Sequence, residues 1–280
     1  MAWDFETDPE FQKQLDWIDR FVREEVEPLD YVIESPYDVH NDKRNALIRP
    51  LQEQVRDKKL WACHLGPELG GPGYGQVKLA LMNEILGRSA CAPIVFGCQA
   101  PDSGNAEILA HYGTQAQKDR YLRPLLDNDI VSCFSMTEPQ GGSDPKVFKT
   151  RAELHGDEWV LNGEKWFSSN ARYASVSEPD ATPYQRMSMF VVPADTPGVN
   201  IIRNVGYRDD HEASHAYIRY EDGRIPADAI LGERGQAFEV AQTRLGGGRI
   251  HHAMRTLAQV RMAFDMMCER ALSRHTQGEP

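Results

Sequence analysis

Two short segments hold the residue types that chemistry needs at close spacing. Residues 136–144, MTEPQGGSD, follow an apolar run and pack two glycines, two hydroxyls and two acids into nine positions. Free N–H groups and hydroxyls in such a turn can hold a diphosphate or the electron-rich edge of a heteroaromatic ring. The same composition also describes a polar β-turn. Close behind, residues 164–170, EKWFSSN, bring a Trp and paired serines. These suit a wall for a flat ring, or ordinary strand packing.

Other candidates read more simply. The cluster Gly70–Gly75 lacks Gly-Lys-Ser/Thr and follows no strand, so it is neither a P-loop nor a dinucleotide fingerprint. It reads as a loop. The run Gly246–Gly248 suits close backbone approach at a helix start. Its neighbour Arg249 is either a surface charge or a holder of a phosphate or carbonyl. His251 and His252 are adjacent, so on a helix they point roughly 100° apart and do not share a metal; no metal ligand set is assigned. There is no G-x-S-x-G elbow, and Cys133 has no evident His partner, so it reads as a buried thiol.

The elements that position these segments follow from periodicity. Asp8-Pro9 predicts a cap and first-turn proline, after which Phe11, Leu15, Ile18, Val22 and Val26 mark one helix face up to Pro28. Leu47, Leu51 and Val55 predict a second helix, and residues 66–76 a Gly/Pro-rich loop. Helical pattern resumes at Leu79–Leu86 and at Asp102–Tyr112, where Gly113 stops it. Thr114 and Gln117 form a capping box for the next helix. Beyond Asp129 strands take over: residues 130–136, 187–193 and 214–222, with Asn162-Gly163 as a hairpin turn and Asp222-Gly223 as another turn signal. From Gln236 helix returns, with an expected interruption at Gly246–Gly248. Ile250, Met254, Leu257, Phe264 and Cys268 then form a long apolar stripe that needs partners.

Composition bounds the class. With 31 Lys+Arg against 42 Asp+Glu the net charge is −11, which argues against nucleic-acid binding while permitting a local basic pocket. A 41% hydrophobic content over 280 residues is globular and allows about two domains. Five scattered cysteines with no C-x-x-C pair predict reduced thiols. No signal peptide or membrane span is evident, so the expected location is cytoplasmic, with a mitochondrial or peroxisomal origin left open.

The two chemical segments also carry a resemblance. F-S-M-T-E-P-Q-G-G-S-D resembles the T-E-P-x-x-G-S-D signature of the acyl-CoA dehydrogenases, and K-W-F-S-S-N resembles their second flavin segment. GPELGGPGYG looks like the family's first-domain loop, and A-L-S-R-H-T-Q-G-E-P resembles its A-L-x-R-x-T-F-G-x-P. The resemblance implies an α+β fold: an N-terminal all-α domain (1–129), a middle antiparallel β-barrel-like domain (130–234) and the start of a C-terminal helical bundle (235–280). It implies FAD as cofactor and α,β-dehydrogenation of an acyl-CoA thioester, with hydride passing to flavin N5. An electron-transfer flavoprotein would accept the electrons, and intact members would be homodimers or tetramers. Carried over residue by residue, Met136 and Thr137 would donate to the flavin's polar edge, with Phe134 just upstream. Gly142 and Ser143 would meet the pyrophosphate or the CoA entrance. Trp166 would pack along the isoalloxazine, and Ser168 would bond near N5. Arg274, Thr276 and Gln277 would reach the ADP half of FAD in a neighbouring subunit, and Arg249 would hold the CoA ligand. Gln277 replaces the usual Phe.

The sequence also departs from the family pattern. The family's usual glutamate base lies beyond the A-L-x-R motif, and at the alternative position this chain has Gly248. Glu239 and Glu269 do not match, so no base is assigned. Residues 175–186 and 207–214 differ from the usual strand and turn. The expectation is a C-terminally truncated, internally shortened member, with a catalytically incomplete flavin- or CoA-binding fragment or partner subunit as the alternative.

Overall fold

The computed structural model describes residues 6–142, 144–171, 174–178, 187–205 and 215–275. Among them the α-helices are α1 (Pro9–Phe21), α2 (Asp42–Asp57), α3 (Gly75–Leu86), α4 (Ala92–Val95), α5 (Asp102–Tyr112), α6 (Gln115–Gln117), α7 (Arg123–Leu126) and α8 (Ala237–Ser273). The strands are β1 (Val131–Phe134), β2 (Arg151–His155), β3 (Glu158–Ser169), β4 (Ala174–Glu178), β5 (Met189–Phe190), β6 (Val192–Pro193), β7 (Val199–Asn204), β8 (His215–Pro226) and β9 (Ile230–Leu231). Helices thus precede strands and a helix closes the order, as expected. The stretch 175–186, where a strand was expected to be missing, begins with strand β4, which pairs with β1 and β6, so that expectation does not hold for its described part; residues 179–186 and 207–214 lie outside the described residues. No described helix is long and apolar enough to cross a membrane.

The chain divides into two compact units, one of residues 1–34, 46–98 and 248–280, the other of 35–45 and 99–247. In the first, Asp8 caps α1 by accepting from the N–H groups of Glu10 and Phe11, and Phe11, Leu15, Ile18 and Phe21 bury one face. The apolar run toward Pro28 does not stay α-helical. It widens into a π turn (Val22–Val26) and tightens into a 3-10 turn (Glu27–Tyr31), because Pro28 has no N–H with which to continue the ladder. Helix α3 lies close to α8 in this unit: Arg255 donates from Nε to Asn83 Oδ1 at 2.7 Å and from Nη2 to the Cys98 carbonyl at 2.8 Å. That approach requires Gly87, where a Cβ would stand 2.5 Å from Arg255 Cα.

Helix α8 corrects one expectation. It runs unbroken through Gly246–Gly248, and nothing lies within 4 Å of where a Cβ on Gly246 or Gly248 would sit. These glycines therefore serve no close backbone approach. Each costs roughly 1 kcal/mol of helix propensity relative to Ala without ending the helix. The apolar stripe beyond is uncovered: Phe264 is 59% and Leu272 80% exposed.

In the second unit Thr114 and Gln117 form the expected capping box. The strands make three sheets, ordered β1-β4-β6, β2-β3-β8-β7 and β5-β9. Cys133, Trp159, Leu161, Phe190, Val192, Ile218 and Tyr220 bury the core between them. No sheet closes on itself among the described residues, so "barrel-like" holds only loosely. Nor is every pair antiparallel: β1 and β4 run parallel, since the chain leaves β1, builds the β2–β3 hairpin and returns in the same sense.

The hairpin itself sits elsewhere than expected. His155 pairs with Glu158, so the turn is Gly156-Asp157, while Asn162-Gly163 lies inside β3. Asp222-Gly223 likewise lies inside β8. The two dipeptides face each other across a bulge in which Glu221 and Asp222 oppose the single residue Asn162. Asn162 Nδ2 donates to Asp222 Oδ1 at 3.0 Å, and the Asp222 N–H returns a bond to Asn162 Oδ1 at 2.9 Å. Gly163 is needed for room: a Cβ there would stand 2.5 Å from Thr150 Cα, at a φ of +144°.

Candidate functional site

A second bulge in β3 builds the site. Lys165 pairs with Ile218 and Ser168 with Ala216, so Trp166 and Phe167 together oppose Tyr217. Phe167 takes a φ of +54°, rare for a bulky side chain, and is exposed. Such a bulge re-aims side chains that strict alternation would place on opposite faces. Asn170 follows with a φ of +63°, a conformation Asn tolerates well.

The segment 134–142 lies against this bulge. The Trp166 N–H donates to the Thr137 carbonyl at 2.9 Å, and Ser135 Oγ donates to Ser168 Oγ at 2.8 Å. Glu138 and Gly141 exchange backbone bonds of 3.2 and 3.0 Å, closing a tight turn over Pro139 and Gln140. Gly142 sits beside Thr137, whose Cγ2 would be 3.3 Å from a Cβ at that position. Met136, Thr137, Gly142, Trp166 and Ser168 are thus brought together, with Phe134 just upstream at the end of β1. Arg249 and Arg274 belong to the other unit and are exposed. Ser143, Thr276 and Gln277 lie outside the described residues.

Several donors here have no protein acceptor. Among the described residues the N–H groups of Met136 and Thr137 and the Thr137 hydroxyl make no hydrogen bond. Asn170 Nδ2 is buried without a partner. Ser168 accepts from Ser135 and keeps its own proton to give. Asn170 and Ser168 are buried, where an open donor carries a desolvation cost unless a bound group accepts from it, while Met136 and Thr137 are half-buried with their donors still open. The set suits a flat ligand with several acceptors along one edge.

Sequence reasoning missed the groups that hold this arrangement. Lys165 and Glu138 form a buried ion pair with Nζ 3.0 Å from Oε1, their side chains 0% and 1% exposed. Glu138 also accepts from the N–H groups of Lys149 at 2.6 Å and Thr150 at 3.1 Å. Burial alone would push its carboxyl up, but the Lys165 charge and these donors hold it below the ordinary value. On the far side of β1, Asp102 accepts from the N–H and hydroxyl of Ser132 at 2.7 and 2.6 Å. Burial pushes Asp102 up to about 6, against the hydrogen bonds of Ser132 and Gln99 and the charge of Arg244. Arg244 donates to Asn105 at 2.6 Å and lays its guanidinium 3.8 Å from the Phe134 ring centre. The available signal was that Glu138 and Lys165 stand beside the two chemical segments' most informative residues.

Comparison with known proteins agrees with the motifs. Residues 8–129 match the acyl-CoA dehydrogenase N-terminal domain and residues 133–222 the acyl-CoA dehydrogenase middle domain. Acyl-CoA dehydrogenase family member 11 of Gallus gallus is 38% identical over 287 aligned positions, covering 96% of this chain and 36% of that protein. The chain therefore spans about a third of that relative's length. A solved acyl-CoA dehydrogenase structure from Mycobacterium abscessus superposes with a TM-score of 0.87 at 35% identity, covering 99% of this chain and 73% of that one. An acyl-CoA dehydrogenase from Bacillus anthracis, solved in complex with FAD, matches at 26% identity and a TM-score of 0.76, over 98% of this chain and 47% of its own. With both domain profiles matched in order and the fold shared almost throughout, the chain belongs to the acyl-CoA dehydrogenase family.

Proposed function

We propose that this chain binds FAD at the 134–142 and 165–170 segments and takes part in the α,β-dehydrogenation of an acyl-CoA thioester. One observation carries the reading: donors without acceptors cluster where two segments with the family's flavin motifs are tied together. The N–H groups of Met136 and Thr137 and the Thr137 hydroxyl match the polar edge of an isoalloxazine, which presents oxygens and nitrogens in one plane. The Ser168 hydroxyl and the Trp166 ring would orient its reactive centre. When bound, FAD supplies the two-electron acceptor for a hydride leaving the thioester's β-carbon.

The residue correspondence assigns the remaining roles. Gly142 and Ser143 border the pyrophosphate or the CoA entrance, and Arg249 takes the CoA ligand. Arg274, Thr276 and Gln277 serve the ADP half of FAD in a neighbouring subunit. That assignment carries with it a homo-oligomer and an electron-transfer flavoprotein as acceptor. No residue of this chain is assigned as the base; Gly248 has no side chain to serve. Domain borders at residues 129 and 234 belong to the same reading. Anaerobic addition of acyl-CoA to FAD-loaded protein tests it: the flavin band should bleach, and a band unchanged across short, medium and long acyl chains would refute the dehydrogenation.

A further inference from the structure

A fully buried ammonium needs a reason, because taking it out of water is costly even when it is paired. Lys165 sits where β3 enters its second bulge. Its Nζ donates to the Met136 carbonyl at 2.9 Å, faces Glu138 Oε1 at 3.0 Å and lies 4.5 Å from the Phe148 ring centre. The Met136 carbonyl belongs to the same peptide group as the Thr137 N–H, one of the donors left without a protein acceptor. Positive charge at an amide oxygen draws electron density through the conjugated group and strengthens its N–H as a donor. The next carbonyl, that of Thr137, is held by the Trp166 N–H at 2.9 Å. Both peptide groups around Thr137 are therefore clamped to β3, one of them by a charge.

We propose that Lys165, held by Glu138, is a positioning residue that both aims and strengthens the Thr137 N–H toward the cofactor's polar edge. This rests on the flavin reading above. A strengthened donor at that edge stabilises the more electron-rich, reduced flavin more than the oxidised one. Lys165 thereby biases the cofactor's redox balance without touching it. Glu138 supplies the countercharge and, through Lys149 and Thr150, anchors the pair to the start of β2.

The test compares FAD-loaded wild type, Lys165→Met and the double variant Glu138→Gln/Lys165→Met, in which shape is retained and no charge is left buried. Dissociation constants for FAD and midpoint potentials at saturating FAD are the readouts. Both variants should bind FAD roughly tenfold more weakly. Their midpoint potentials should fall, a change that loop support alone would not produce. A folded double variant with wild-type affinity and potential overturns the proposal. Failure of that balanced double variant to fold also overturns it, by making the pair a requirement of folding rather than of cofactor control. Wild-type protein that holds no FAD overturns the functional reading instead, and this proposal with it.

Discussion

Breaking the Glu138–Lys165 pair from one side should be far more damaging than removing both charges. At the observed 3.0 Å and an effective dielectric of 20, the direct attraction is about 5 kcal/mol. Desolvation of two buried ions offsets most of that, so the pair's net contribution is small. Lys165→Met removes the attraction and leaves the carboxylate's desolvation uncompensated. Such one-sided losses cost about 3–5 kcal/mol. The backbone donors of Lys149 and Thr150 remain on Glu138 and place the expected loss near the lower bound, about 3 kcal/mol. The double variant Glu138→Gln/Lys165→Met should lose only about 1 kcal/mol, since no charge remains buried. Urea unfolding of FAD-free protein, followed by tryptophan fluorescence, measures both. Acidification should shrink the single variant's penalty, because protonating Glu138 neutralises the stranded charge. In the wild type the same carboxyl is held below its ordinary value, so its stabilisation is present above about pH 4.5 and fades as pH falls. A Lys165→Met variant within about 1 kcal/mol of wild type, or a double variant as unstable as the single, would refute the reasoning.

Other expectations concern the same framework. Asp102, raised from 3.8 to about 6, is ionised at a cost in the fold, so its contribution to stability falls as pH rises through that window. Asp102→Asn should therefore gain about 3 kcal/mol relative to wild type between roughly pH 4 and 7, and a pH-independent difference would contradict the placement. Gly163→Ala should destabilise by about 2 kcal/mol or more in thermal or urea melts, since its Cβ meets Thr150 at an unfavourable φ. Gly246→Ala in open helix should instead stabilise by about 0.5–1 kcal/mol, and a loss there would reveal packing the helix face does not show. Thr137→Ala and Trp166→Ala should each weaken FAD retention, by about 1–3 kcal/mol where a buried polar partner is stranded; unchanged flavin content in both would defeat the site assignment.

Much of this was legible because it is local. The caps at Asp8 and Thr114, the apolar faces of α1 and α3 and the change from helix to strand near Val131 all follow from spacing within a turn or two. The paired flavin segments were legible as motifs. What escaped depends on residues distant in sequence. Asn162-Gly163 has the composition of a hairpin turn, but it becomes a bulge because Asp222, 60 positions away, completes its hydrogen bonds. The three glycines of α8 lower helix propensity but do not end the helix, so a glycine count misjudges its continuity. Lys165 carried no role within its motif segment until the fold placed Met136 and Glu138 around its ammonium.

The open donors around Thr137 and Ser168 are expected to hold a flavin. Flavin content and the visible spectrum of the purified chain, taken after gel filtration with and without added FAD, test it most directly. One tightly held FAD per chain is expected, with an absorption band displaced from that of free FAD and that displacement lost in Thr137→Ala. A chain that emerges colourless after incubation with FAD, or a band identical to free FAD, would contradict it.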